Sequence, residues 1–185
     1  MSAIRLRGAT SGTTDVVAAA IAGDGVLSLP TGTGTLATQA FVNTAVAAGG
    51  KVLQVVSVTS TTNTSTSSLS FVTTGLAASL TPASSLNKVL VFASVPWKID
   101  VNNSMITTIF RGTVAGTNLG HSTQGMGQMY SNAGRLDGVT AMNFLDSPST
   151  TASQTYTVGF YVGSGTGQVQ SFSAMSSLTI MEISA

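Results

Sequence analysis

Apolar and polar residues alternate along most of the chain after Lys51, in short runs separated by Gly, Pro, Asn and Ser clusters. Period-two alternation over such lengths predicts half-buried strands, because successive side chains on a strand point to opposite faces. The runs fall at 52–59, 68–73, 75–80, 88–97, 104–111, 139–145, 154–162, 168–173 and 176–183. Many short strands at this spacing predict an antiparallel sandwich or jelly roll. Thr81-Pro82 and Asp146-Ser147-Pro148 mark turns. Residues 112–138 are rich in Gly, Asn, Ser and Met and break the alternation. They are the longest predicted loop, and long loops on a rigid β scaffold tend to carry binding.

The first fifty residues read differently. Residues 1–12 predict one short strand, with Ile4 and Leu6 alternating against Arg5 and Arg7 and with Gly8 and Gly12 as punctuation. Residues 15–22 (DVVAAAIA) fit a helix by their alanines and a strand by Val16, Val17 and Ile21. The strand is preferred, because Gly23-Asp24-Gly25 and Pro30 stop any helix from continuing. A second strand is predicted over 25–30. Thr38 is a suitable N-cap for a short helix over 39–48, which Gly49-Gly50 ends as a hinge. Its apolar face carries Val42, Ala45 and Val46. A helix that short is marginal alone in water, and so is a lone short strand. Other copies of the chain would supply the missing contacts, with Val42, Ala45 and Val46 in a trimer seam. The expected organisation is an N-terminal attachment and stem region at 1–37, the short helix and hinge at 38–50, and a head at 51–185. The expected fold class is all-β: an antiparallel β-sandwich, jelly-roll-like head on an extended β stem with one short helix, trimeric.

Composition narrows the function. Only 7% of residues are charged, against roughly 25% in an average soluble protein. Seven Lys and Arg against six Asp and Glu give a formal net charge of +1, which offers nucleic acid or an anionic membrane no long-range attraction. Low net charge favours association. Without cysteine there is neither disulfide nor thiol chemistry. The first residues lack the apolar run of a secretory signal, and hydroxyls interrupt residues 52–87 too often for a membrane span. Synthesis in a host cytoplasm without a membrane anchor is expected.

The segment DGVLSLPTGTGTLATQAFVNTAVAA resembles the stem-to-head junction of tailed-bacteriophage fibre and virion structural proteins. The later stretches LQVVSVTSTTNTSTSSLSFVTTGLAASLTPASSLNKVLVFASV, FLDSP and SSLTIMEISA resemble the β-sandwich head that often ends such proteins. Order and spacing of these segments carry the resemblance; residues 112–138 have no part in it. It implies a homotrimer, a β-rich head and a place in the virion. Ile4, Arg5, Leu6 and Arg7 are the candidate virion anchor, docking on tail, baseplate or capsid proteins. Three roles follow: a short tail fibre meeting a host-surface glycan or protein, a capsid decoration or cement protein, or a glycan-degrading enzyme.

Candidate chemistry is sparse. Glycoside hydrolysis needs two carboxylates at a set separation. Of Asp15, Asp24, Asp100, Asp137, Asp146 and Glu182, Asp24 and Asp146 read as turn residues, and Glu182 sits in the last strand, paired with an Arg or facing water. His121 has no GxSxG elbow to serve, and one histidine is a poor basis for a transition-metal site. Asp100, Asn102 and Asn103 offer oxygens for calcium but read more simply as a turn. The TGTGT and GSGTG stretches lack the Lys of a phosphate loop. No catalytic residue, metal or cofactor is expected. Recognition is the better use of the exposed groups. Trp97, Tyr130, Tyr156 and Tyr161 are able to stack on a sugar ring, although Trp97, after Pro96, reads as packed in the sandwich. His121, Met126, Met129 and Tyr130 are the candidate host or partner contact, the methionines as an adaptable surface or as packing between subunits.

Overall fold

The computed structural model describes residues 3–7, 13–17 and 52–185. The chain divides into two compact units, Met1–Ala45 and Val46–Ala185. In the first, strands β1 (Ala3–Arg7) and β2 (Thr13–Val17) pair antiparallel, with Ile4 opposite Val16 and Arg5 opposite Asp15. The anchor candidates Ile4, Arg5, Leu6 and Arg7 all lie on β1. The predicted strand over 25–30, the helix over 39–48 and the seam residues Val42, Ala45 and Val46 fall outside the described residues.

The second unit is an antiparallel β-sandwich, as its alternation predicts. Its strands are β3 (Val52–Ser60), β4 (Thr64–Thr66), β5 (Val72–Leu80), β6 (Lys88–Ile99), β7 (Asn103–Arg111), β8 (Thr117–Asn118), β9 (Gly127–Ser131), β10 (Leu136–Asp146), β11 (Gln154–Val162), β12 (Gly167–Val169) and β13 (Ser176–Ile183). In one sheet β6 is the hub. One of its edges carries β10; the other carries β13 along 88–94 and β12 along 97–99, and these pair in turn with β3 and β4. In the second sheet β11 lies between β5 and β7, and the far edge of β7 takes both β8 and β9.

The core lies between the sheets. Val89, Val91, Ala93, Val95, Trp97 and Ile99 alternate inward from β6 and meet Leu178 and Ile180 of β13. From the opposite sheet come Leu76, Ala78, Leu80, Met105, Ile109, Tyr156, Val158, Phe160 and Val162. Each fully buried Val, Leu, Ile, Phe or Met among them contributes about 1.5–3 kcal/mol relative to exposure. Trp97 is packed here, as its position after Pro96 suggested.

Three local expectations are corrected. The runs 68–73 and 75–80 are not two strands. A single strand, β5, spans Val72–Leu80, and Gly75, at φ +85°, forms a bulge in it where the register with β11 shifts. Only glycine enters that backbone region freely, so the bulge is absorbed without ending the strand, and the predicted break at Thr74 lies inside it. The run 168–173 is β12 followed by a 3-10 turn at Ser171–Ser173. Residues 112–138 contain β8, β9 and the start of β10 and are no free loop.

Two carboxylates are also placed differently than predicted. Asp146 ends β10 and is buried. Its Oδ2 accepts a 2.8 Å bond from the Tyr156 hydroxyl and lies 3.2 Å from Arg111 Nη1. It thus ties a strand of one sheet to two strands of the other. Burial, the hydrogen bond to Asp146 and the Asp146 charge together push the Tyr156 phenol far up, with Arg111 opposing. Glu182 does not face water, and among the described residues it pairs with no Arg. It is fully buried, and its carboxylate accepts bonds of 2.6 Å each from Gln54 Nε2, the Ala83 main-chain N–H and Asn87 Nδ2. A buried charge persists where such donors replace water.

Candidate functional site

The outer face of the second sheet is covered. Ile106, Thr108 and Phe110 of β7 point away from the core, since they pair with Tyr161, Gly159 and Thr157 of β11. All three are nevertheless buried. Phe71, just before β5, packs edge-on against Phe110 with ring centroids 5.2 Å apart, and against Tyr161 at 4.8 Å. Leu119 and Met126, from the segment that links β8 to β9, are instead half-buried against the core cluster between the sheets.

That segment is strapped to β7. Leu119 N–H donates to the Ile109 carbonyl at 2.9 Å, and Met126 N–H to the Thr107 carbonyl at 2.8 Å. Asn118 Oδ1 accepts from Thr108 Oγ1 and from Gly120 N–H. Between the straps, residues 121–125 form a tight hairpin in which His121 and Gly125 exchange both main-chain bonds, at 3.1 and 2.9 Å. His121 Nδ1 accepts from the N–H groups of Thr123 and Gln124 at 3.3 and 3.1 Å, so the imidazole caps the turn. Tyr161 then ties the hairpin to β11 by donating its hydroxyl to the Thr123 carbonyl at 2.6 Å.

Gly125 makes the close approach possible. Its φ is +58°, and a Cβ there would meet the Thr107 carbonyl oxygen. Gly125→Ala is expected to lift the hairpin and destabilise the unit by at least the ~1–2 kcal/mol of left-handed strain. Thermal unfolding combined with hydrogen exchange of residues 119–126 measures it; unchanged exchange there would show that the strap does not depend on this glycine.

Between this hairpin and the segment before β5 lies a pocket of about 200 Å³, lined by Leu69, Ser70, Phe71, Ser122, Thr123 and Tyr161. The lining holds three aliphatic hydroxyls, a phenol, a phenyl ring and an isobutyl group, and no ionisable acid or base apart from the phenol. Such a surface orients a neutral polar guest by hydrogen bonds and apolar contact.

The sequence candidates are placed as follows. His121 is exposed at the hairpin beside the pocket, with its Nδ1 lone pair engaged. Tyr130 is exposed on β9. Met126 and Met129 pack against the core, so little of either is presented outward. Of the aromatics named for stacking, Tyr156 and Trp97 are buried and Tyr161 lines the pocket. Leu69, Ser70 and Phe71 were missed as site residues because they sit in a run read as strand; the signal was that their alternation is out of step with that of β5. Asn103, considered for calcium, turns its amide to the Thr166 carbonyl and the Ser164 N–H.

These elements define an antiparallel β-sandwich with a small, open pocket on the outer face of one sheet. No family model matches the chain. No curated protein matches it. Solved structures similar to it include the VP2 subviral particle of infectious bursal disease virus (TM-score 0.40, 11% identity, 87% of this chain and 44% of that one). A second is the D431N mutant VP2 of the same virus in T=1 particles (TM-score 0.38, 12% identity, 92% and 42%). A third is the T13 particle of that virus (TM-score 0.40, 12% identity, 93% and 43%). The chain spans less than half the length of each, and at these TM-scores the likeness transfers no role to it.

Proposed function

We propose that the protein is a bacteriophage virion structural protein, a short tail fibre whose N-terminal strand anchors to the tail and whose trimeric head meets the host surface. The observation that carries this reading is the division into a small N-terminal hairpin unit and a larger sandwich. The resemblance of residues 24–48 implies a stem-and-head order, and a chain of two units supports that reading. The low charge of the surface suits packing against other virion proteins. A structural role, not catalysis, is also supported by how the acids are used: Asp146 and Glu182 are consumed in internal bonds, and the His121 Nδ1 lone pair caps a turn.

One observation favours a capsid decoration protein as the second reading. Across the outer face of the β6 sheet, Leu145, Leu90, Met181 and Val55 fall in one register row, with Phe92 on the adjoining row. Val55, Leu145 and Phe92 are exposed. An apolar band four strands wide suits a protein lying on a shell.

Purified protein that binds host cells and blocks infection supports the fibre; binding to empty capsids instead supports decoration and overturns the fibre. Light scattering at micromolar concentration is expected to give a trimer, and Val42→Asp or Val46→Asp to weaken it by placing a charge in a buried seam. A monomeric wild type would remove the trimer from the proposal.

A further inference from the structure

We infer that the pocket between Leu69–Phe71 and the 121–125 hairpin binds one neutral sugar unit, as a recessed site on the head. The inference rests on the host-contact reading above and names its ligand class.

Size is the first argument. About 200 Å³ falls below the ~300–1,000 Å³ usual for drug-sized ligands, which leaves room for a single small ring. Chemistry is the second. Ser70 and Ser122 each carry a hydroxyl, a group that donates and accepts and so matches the alternating hydroxyls of a saccharide, and Thr123 adds a third whose oxygen lies 3.2 Å from His121 Nδ1. Leu69 and the rings of Phe71 and Tyr161 supply the apolar surface that the C–H face of a pyranose covers. Charge is the third. No Lys, Arg, His, Asp or Glu lines the pocket, so an anionic sugar, a phosphate or an ammonium group would lose water without a counter-charge.

Rigidity is the fourth. The Tyr161 hydroxyl spends its proton on the Thr123 carbonyl, which leaves its oxygen free to accept and locks one wall to the other. Phe71 is held perpendicular to Tyr161, with an interplanar angle of 88°. The hairpin wall is closed by its own main-chain pair and by His121 Nδ1. Walls already in place lose little freedom on binding, which is how a small, shallow site gains useful affinity.

The test uses the full chain, with methyl-labelled leucine and threonine followed by NMR. The probes are methyl α-glucopyranoside, methyl β-galactopyranoside and N-acetylglucosamine, with N-acetylneuraminic acid as the charged control. At least one neutral probe is expected to shift Leu69 and Thr123 saturably, with Kd about 1–10 mM. Ser122→Trp and Ser70→Trp, each at an exposed position and each filling the pocket, are expected to weaken that binding by about tenfold or more. Tyr161→Phe keeps the ring and is expected to weaken it less. The proposal is overturned if no neutral probe gives a saturable shift, if the acid binds more tightly, or if both tryptophan variants bind as the wild type does. Protein that adsorbs to host cells yet binds no neutral sugar removes this proposal and leaves the fibre standing. Sugar binding by protein absent from labelled virions does the reverse.

Discussion

Glu182→Gln lowers the stability of the sandwich by about 1–3 kcal/mol, because its amide keeps one oxygen for Ala83 and Asn87 but turns an N–H₂ toward Gln54 Nε2, a donor that loses its acceptor. The carboxylate is fully buried on β13 between Gln54, Ala83 and Asn87, each 2.6 Å away. The acid dependence follows. Burial alone would raise the Glu182 pKa, but the bonds from Asn87, Gln54, Ala83 and Ser84 outweigh it and hold the group below its ordinary 4.5. A folded-state pKa below the unfolded one means that the unfolded chain binds the proton more readily. The stability owed to this carboxylate is therefore fully present above about pH 4.5 and is lost as pH falls through the lower folded value. Denaturant midpoints taken from pH 7 downward are expected to show this loss in the wild type and not in Glu182→Gln. Parallel curves for the two proteins would show that another acid governs the decline.

Asp146→Ala is the second large effect, at about 2–4 kcal/mol. Removing one partner of a buried ion pair costs roughly 3–5 kcal/mol. The lower end applies here because the Arg111 side chain is 28% exposed and water reaches it. Tyr156→Phe removes only the 2.8 Å bond to the same carboxylate, at about 1.5–3 kcal/mol for a bond to a charged group. The two substitutions share that bond, so the double variant is expected to cost less than their sum. Additive losses from a chemical-denaturation cycle would mean that Tyr156 and Asp146 act independently and that the tie between the sheets is not one unit.

Several of the longer strands were legible in the sequence. β11 and β13 occupy the ranges that alternation predicts, 154–162 and 176–183, and β6 and β7 come within two residues. The rest required partners far along the chain. Glu182 bonds Gln54 from 128 positions away and Asn87 from 95, and no local pattern marks a charged residue as buried when its donors are that distant. Asp146 before Ser-Pro has the composition of a turn, yet Arg111 and Tyr156 draw it inside. The segment 112–126 has no period because it is held by single hydrogen bonds and by Leu119 and Met126, with a strand of only two residues. Of the candidate contact residues, His121 and Tyr130 are exposed, but the pocket joins Leu69–Phe71 to residues some fifty positions on, a pairing that only the folded β7–β11 surface creates.

The central place of β13 bears on how quickly the sandwich forms. β13 lies between β3 and β6, so the first strand of the sandwich joins its sheet only through the last. Closing a loop of that size carries an entropy cost before any rung of the ladder repays it, and sandwiches of this kind fold on the order of milliseconds to seconds. Until β13 arrives, β3 is a nine-residue strand without a charge or a hydrogen-bonded neighbour. The same residues of neighbouring nascent chains would compete for that edge. The interval between synthesis of β3 and docking of β13 is thus the period in which misassembly is most favoured.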